Sequence, residues 1–274
     1  MTKQLKVLSL FSGGGLGDYG LELTGMEIIG QVEIDDYCQK ILSLRWPTVP
    51  KWRDICEVKS EVVRGTIGTP DIISGGFPCQ DISIAGNGEG IYGKRSGLWK
   101  EMFRLVCDLR PKYVLVENVA ALLHRGLGVV LSDLSSIGYD AEWQVISACQ
   151  FGAAHSRERV FILAYPHSAS REIPPILSWD GSTSTFFDKH KTEWCKNWFG
   201  LSMGRKAVAR LENEWEEGCP KPEFLRVVDG TPEYLDRLKL LGNGQVVQVV
   251  QYIGERIIEF ELAGLMIPAE NNGG

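Results

Sequence analysis

Short apolar runs alternate with helix-period stretches through most of this chain. Residues 6–11 (KVLSLF), 27–33 (EIIGQVE), 71–74 (DIIS) and 111–116 (PKYVLV) are too short for helices, end at glycine or polar breaks, and predict buried strands. Between them, Leu16, Gly20, Leu21 and Leu23 predict a helix ending at Gly25. Residues 35–46 carry Tyr37, Ile41 and Leu44 on one face, and 57–64 reads as a short helix after an edge segment at 52–55. Ser96 or Gly97 opens a helix to Leu109, with Leu98, Met102, Leu105, Val106 and Leu109 at helical spacing. Residues 127–137 are predicted helical, then 139–150 and 157–164 as two strands. Along the last of these Arg157 and Arg159 alternate, which predicts that both point to one face. Strands alternating with helices make an α/β fold.

The texture changes between 166 and 222. Prolines, serines and threonines break the alternation, and Trp179, Phe186, Phe187, Trp194, Trp198 and Phe199 fall off any period. Lys189, Lys191, Lys196, Arg205, Lys206 and Arg210 make this part locally basic. We read 1–165 as one domain and 166–222 as a second, small one. Residues 223–267 return to complete the first, with Val246, Val250, Ile253 and Ile257 as an apolar stripe, and 268–274 form a disordered tail.

Composition narrows the function classes. Charged residues at 23% and hydrophobic ones at 44% are ordinary globular values. No run approaches a membrane span and no signal peptide is recognisable, which predicts a cytoplasmic protein without membrane partners. The seven cysteines show no CxxC pair, so neither a disulfide framework nor a metal site is expected. A net charge of −6 argues against holding nucleic acid by bulk charge, though not against a local basic groove.

Chemistry concentrates at strand ends. The first strand runs into a glycine-rich turn, Ser12 to Gly17, and the second ends on Glu33, a carboxylate able to accept from ribose hydroxyls. Gly15, Gly17 and Gly20 satisfy GxGxxG, which keeps a NAD-dependent oxidoreductase in play. In Gly75-Gly76-Phe77-Pro78-Cys79-Gln80 the proline fixes its own φ and extends the residue before it, so Cys79 is placed on a rigid turn at a strand's carboxyl end. A thiol becomes nucleophilic only as thiolate, which requires a polar or positive setting. The following stretch, 84–95, is a glycine-rich loop with the length of a lid. The strand at 111–116 delivers Glu117 to the same edge, where a carboxylate needs a partner or a task.

Taken in order, Phe11-x-Gly13-x-Gly15, Glu33, Asp54, Pro78-Cys79-Gln80, Glu117-Asn118-Val119, Arg157-x-Arg159 and Gly242-Asn243 resemble the C5-cytosine DNA methyltransferases, in everything but 166–222. That resemblance implies a Rossmann-like S-adenosylmethionine-dependent methyltransferase sheet with helices on both faces, plus a small target-recognition domain. It implies S-adenosyl-L-methionine, without metal, as the cofactor. Phe11, Gly13 and Gly15 would border it, Glu33 would hold the ribose, Asp54 and Ile55 would meet the adenine, and Pro78 and Asn243 would close the pocket. The catalytic group would be Cys79, Glu117, Arg157 and Arg159: thiolate addition to C6, support of N3, added positive charge, and a hydrogen bond to O2. The base must leave the stack to be reached.

Double-stranded DNA is then the expected partner of a monomeric bacterial or phage enzyme, and pairing with a cognate restriction endonuclease, phage self-protection and an orphan role all stay open. Three departures from the common pattern, at Ala154, Gly244 and Val247, leave these groups intact. A tRNA cytosine-C5 methyltransferase on the same scaffold and a non-catalytic DNA-binding protein are the alternatives. The first lacks its Cys-Phe-Thr mark here, and intact Cys79 and Glu117 oppose the second.

Overall fold

The computed structural model describes residues 4–78, 97–151, 156–167, 176–177 and 244–263. The chain divides into two compact units, Met1–Val145 with Arg159–Leu177 and Gly230–Gly274, and Ile146–Glu158 with Ser178–Asp229.

In the first unit β1 (Lys6–Leu10), β2 (Glu27–Val32), β3 (Lys51–Trp52), β4 (Ile72–Gly75), β5 (Tyr113–Val119), β6 (Tyr139–Ile146) and β7 (Arg159–Pro166) form one sheet. Their order is β3-β2-β1-β4-β5-β7-β6. β1 pairs in parallel with both β2 and β4, and β4 with β5, whereas β7 runs antiparallel to β5. Strand order therefore reverses at β1 and β4, which opens a crevice beyond their carboxyl ends. Continuous apolar sequence in these strands follows from burial on both faces. Leu8, Leu10, Val114, Val116 and Ile162 join one core with Trp99, Met102, Leu105 and Val106 of α4 (Leu98–Leu109). The alternate residue Tyr113 instead gives its hydroxyl to Glu261 of α7 (Val247–Leu262) at 2.9 Å. Helices cover both faces, in the α/β arrangement expected.

The glycines behind α1 (Leu16–Glu22) have a packing task. A Cβ on Gly20 would stand 2.8 Å from the carbonyl oxygen of Val247, and one on Gly254 would stand 2.9 Å from Thr24. Close approach of α1 and α7 needs both to be bare. The GxGxxG spacing thus serves helix packing: Gly15 meets Trp46, Gly17 meets Gln245, and Gly20 meets α7.

α2 (Asp36–Arg45) starts where expected, with the Asp35 carboxylate accepting from the N–H groups of Tyr37 and Cys38. Other boundaries differ. β3 ends at Trp52 because the Asp54 side chain caps a 3₁₀ turn, Ile55–Glu57, which delays α3 to Ser60–Ile67. Between β5 and α6 (Leu127–Ser136) lies an unforeseen turn of helix, α5 (Leu122–Arg125). Glu117, Asn118 and Val119 lie inside β5 rather than beyond it, and α7 buries Gln248, Val249, Gln251 and Tyr252 as well as Val250, Ile253 and Ile257, while Val246 of the predicted stripe is its half-buried N-cap.

The expected alternation of Arg157 and Arg159 is corrected. The β5–β7 ladder ends at Val119 with Arg159, so Arg157 lies outside the strand, at φ 28°. In the second unit, Ala148 N donates to the Ser156 carbonyl at 2.7 Å after a 3₁₀ turn, Ala148–Phe151. The loop 84–95, nearly all of 166–222 and the tail fall outside the described residues.

Candidate active site

A cavity of about 370 Å³ lies against the first unit's β1, β2, β4 and β5, where the strand order reverses. One side is the turn after β1. Phe11 and Gly13 each have φ of 54° there, and Ser12 N donates to the Val32 carbonyl at 3.1 Å. A Cβ on Gly13 would meet nothing within 4 Å, so its glycine is required by conformation alone. Glu33 lines the cavity with its carboxylate already oriented: Gly13 N donates to Oε2 at 2.7 Å and Asp35 N to Oε1 at 2.8 Å. Each oxygen keeps a free lone pair for a ligand hydroxyl.

The opposite side is built by β4, β5 and β7. Glu117 Oε1 lies 3.0 Å from Arg159 Nε, and both line the cavity. A Cβ on Gly76 would stand 2.7 Å from Glu117 Oε2, so any larger residue here would push this carboxylate out of place. Beyond it Phe77 is buried against Trp99, with ring centroids 5.7 Å apart, and its carbonyl accepts from Asn118 Nδ2 at 3.1 Å. These contacts anchor Pro78, which also lines the cavity. Its successor, the predicted nucleophile Cys79, lies outside the described residues, as does Asn243.

Of the predicted cofactor residues, Phe11, Gly13, Glu33 and Pro78 line the cavity together with Glu117 and Arg159. Gly15, Asp54 and Ile55 are not among its lining residues. Gly15 has φ of 78° and packs on Trp46, Asp54 accepts from Cys56 N at 2.9 Å, and Ile55 is buried. Arg157 belongs to the second unit. Ser9, Asp18, Ile34, Gly244 and Gln245 do line the cavity, and sequence reasoning missed them. Ser9 had left a signal, as the polar residue within an otherwise apolar β1.

Comparison with known proteins agrees with this geometry. The profile of the C-5 cytosine-specific DNA methylases matches residues 5–202. The chain belongs to that family. It is 34% identical over 92% of its length to the type II methyltransferase M2.BsuMI of Bacillus subtilis, covering 75% of that protein. It is 37% identical over 59% of its length to M.Sau3AI of Staphylococcus aureus, of which it covers 43%. The chain thus spans less than half of that second relative. A putative DNA modification methyltransferase encoded within an E. coli prophage superposes with a TM-score of 0.54 at 26% identity, over 62% of this chain and 49% of that one. The Dnmt2 methyltransferase of S. pombe matches 97% of this chain, and this chain 100% of it, with a TM-score of 0.60 at 18% identity, a likeness of fold.

S-adenosyl-L-methionine is the cofactor of this methylase, and the cavity's chemistry fits it. Four carboxylates, Asp18, Glu33, Asp35 and Glu117, line it with one guanidinium, Arg159, among the described residues. A site so weighted suits a ligand bearing sulfonium and ammonium charges. Among the described residues no helix is long and apolar enough to cross a membrane.

Proposed function

We propose that this methylase modifies C5 of a cytosine flipped out of a short duplex DNA target, through a covalent bond from Cys79 to C6. The observation that carries the reading is the Glu117–Arg159 pair at the cavity wall, one glycine and two anchored residues from Cys79. C5 of cytosine is a weak nucleophile until a thiolate adds at C6 and turns the ring into an enamine. Glu117 supports N3 as charge moves onto the ring, and Arg159 orients Glu117 and hydrogen-bonds O2. Arg157 adds positive charge toward the DNA backbone. S-adenosylmethionine, when bound, supplies the electrophilic methyl that C5 takes up. Loss of the C5 proton then expels Cys79 and restores the aromatic ring.

Phe11, Gly13, Glu33, Pro78 and Asn243 hold the cofactor in this reading, with Glu33 on the ribose hydroxyls. Gly15 shapes the turn from behind, and Asp54 and Ile55 form the adenine side. Residues 1–165 with 223–267 make the catalytic domain, 166–222 recognises the target, and 268–274 is a tail. In this reading the protein is a cytoplasmic monomer of a bacterium or phage; the relatives' type II names support its pairing with a cognate restriction endonuclease.

Duplex DNA carrying 5-fluorocytosine at the target tests this directly, because fluorine at C5 blocks the final elimination. A denaturation-stable protein–DNA complex is expected, and Cys79→Ala should abolish it. An adduct surviving that substitution would overturn the assignment, and methyl transfer to tRNA but not DNA would overturn the substrate.

A further inference from the structure

Three of the four carboxylates at the cavity have evident tasks. Glu117 meets Arg159, Glu33 is held by two backbone amides, and Asp35 caps α2. Asp18 is different. It projects from α1, is 3% exposed, and still lines the cavity. Ser9 Oγ donates to its Oδ1 and Gln31 Nε2 to its Oδ2, each at 2.6 Å. Both donors are neutral. The charged groups that act on it, Glu22 on the same helix and Glu33 after β2, are acidic as well. An anion buried among neutral donors and other anions is costly unless a cation arrives.

Resting on the cofactor reading above, we propose that Asp18 is the counter-charge for the α-ammonium at the amino-acid end of S-adenosylmethionine. The sulfonium has no N–H to give and must face the reacting base. The ribose hydroxyls are neutral and are served by Glu33. The ammonium carries charge and three donors, and each Asp18 oxygen retains a lone pair after its one bond. A fixed carboxylate at this point would also set how far the cofactor slides along the turn, because Ser12 Oγ donates to Ser9 Oγ at 2.9 Å and so joins the turn to the same network.

Burial, the largest influence, pushes the Asp18 carboxyl up to about 6, with Glu22 and Glu33 adding to it. Below that pH the empty site holds a proton there, which must leave to solvent when the ammonium binds. Affinity for an ammonium-bearing ligand then falls as pH drops below about 6, by up to about tenfold per unit.

The test uses the full chain and two nucleosides, S-adenosylhomocysteine, which carries the ammonium, and 5′-methylthioadenosine, which lacks the amino-acid end. For the wild type between pH 7 and 5, S-adenosylhomocysteine should weaken by up to about tenfold while 5′-methylthioadenosine stays flat. Asp18→Asn should weaken S-adenosylhomocysteine about tenfold at pH 7, flatten its pH profile, and leave 5′-methylthioadenosine unchanged. Equal losses for both ligands would reduce Asp18 to a fold residue and overturn the proposal, as would no loss. The wild-type profile decides even if the variant fails to fold. Binding of neither nucleoside by the wild type would instead overturn the cofactor reading.

Discussion

Glu117 and Arg159 meet at 3.0 Å although they are not ladder partners. Glu117 stands opposite Phe161, and Arg159 opposite Val119. The diagonal offset brings a guanidinium from an antiparallel strand onto a carboxylate of a parallel one, at the wall of the cavity. Glu117→Gln should lower methyl transfer about 10²-fold, the scale of general acid catalysis. Arg159→Ala should do comparable damage, and the double variant should be little worse than either single one. Cofactor affinity should hold in all three. Transfer of labelled methyl groups measures this, and strictly additive losses would show that the two residues act separately.

Gly76→Ala should inactivate without unfolding. The new methyl group would push on Glu117 Oε2, 2.7 Å away, so we expect at least about a tenfold loss of transfer. Gly65→Ala is the control. Nothing lies within 4 Å of a Cβ there, and removing a helical glycine should raise stability by about 0.5–1 kcal/mol with activity intact. Rate and thermal unfolding measured together separate the two effects.

Gly20→Ala should destabilise the fold by about 1–3 kcal/mol, because the added carbon meets the Val247 carbonyl and the Val250 side chain. A shift of the denaturant midpoint checks it. An unchanged midpoint would show that α1 and α7 are not held at this distance.

Asp18 makes stability pH-dependent in the absence of cofactor. Its folded carboxyl is raised from 3.8 to about 6. A raised group contributes stability below its unfolded value and loses it as pH climbs through the folded one. Asp18→Asn removes that titration, and the new amide can donate to Gln31 Oε1, a buried atom with no partner. The variant should therefore gain on the wild type by about 1.4 kcal/mol per pH unit between about pH 4 and 6, then level off. Urea unfolding at several pH values reads this difference, and a constant offset would refute it.

Residues 166–222 should read the DNA. Lys189, Lys191, Lys196, Arg205 and Lys206, outside the described residues, make this segment locally basic. Neutralising all five should weaken DNA binding, flatten its salt dependence and leave cofactor binding alone. The target should span about four to six base pairs, each lost contact costing about 1–3 kcal/mol. Unchanged DNA affinity and an unchanged methylated sequence, mapped by bisulfite sequencing, would assign recognition elsewhere.

The local pattern of this chain already determined much of its frame. The runs at 6–11, 27–33, 71–74 and 111–116 were legible as buried strands and 35–46 as a helix, because burial and periodicity act over a few residues. Glu33 was legible for the same reason, as the acid that ends an apolar strand. Tertiary structure decided what depends on partners distant in the chain. Arg157 fell outside its strand because the β5–β7 ladder ends at Val119 with Arg159, while Arg159 reached Glu117 across an antiparallel pairing that no single strand encodes. Glycines at 15, 17 and 20 matched a dinucleotide fingerprint, yet their neighbours are Trp46, Gln245 and α7. A glycine states only that something must come close. Which group comes close, like the carboxylate of Asp18 sinking between Ser9 and Gln31, is settled by the packing of elements against one another.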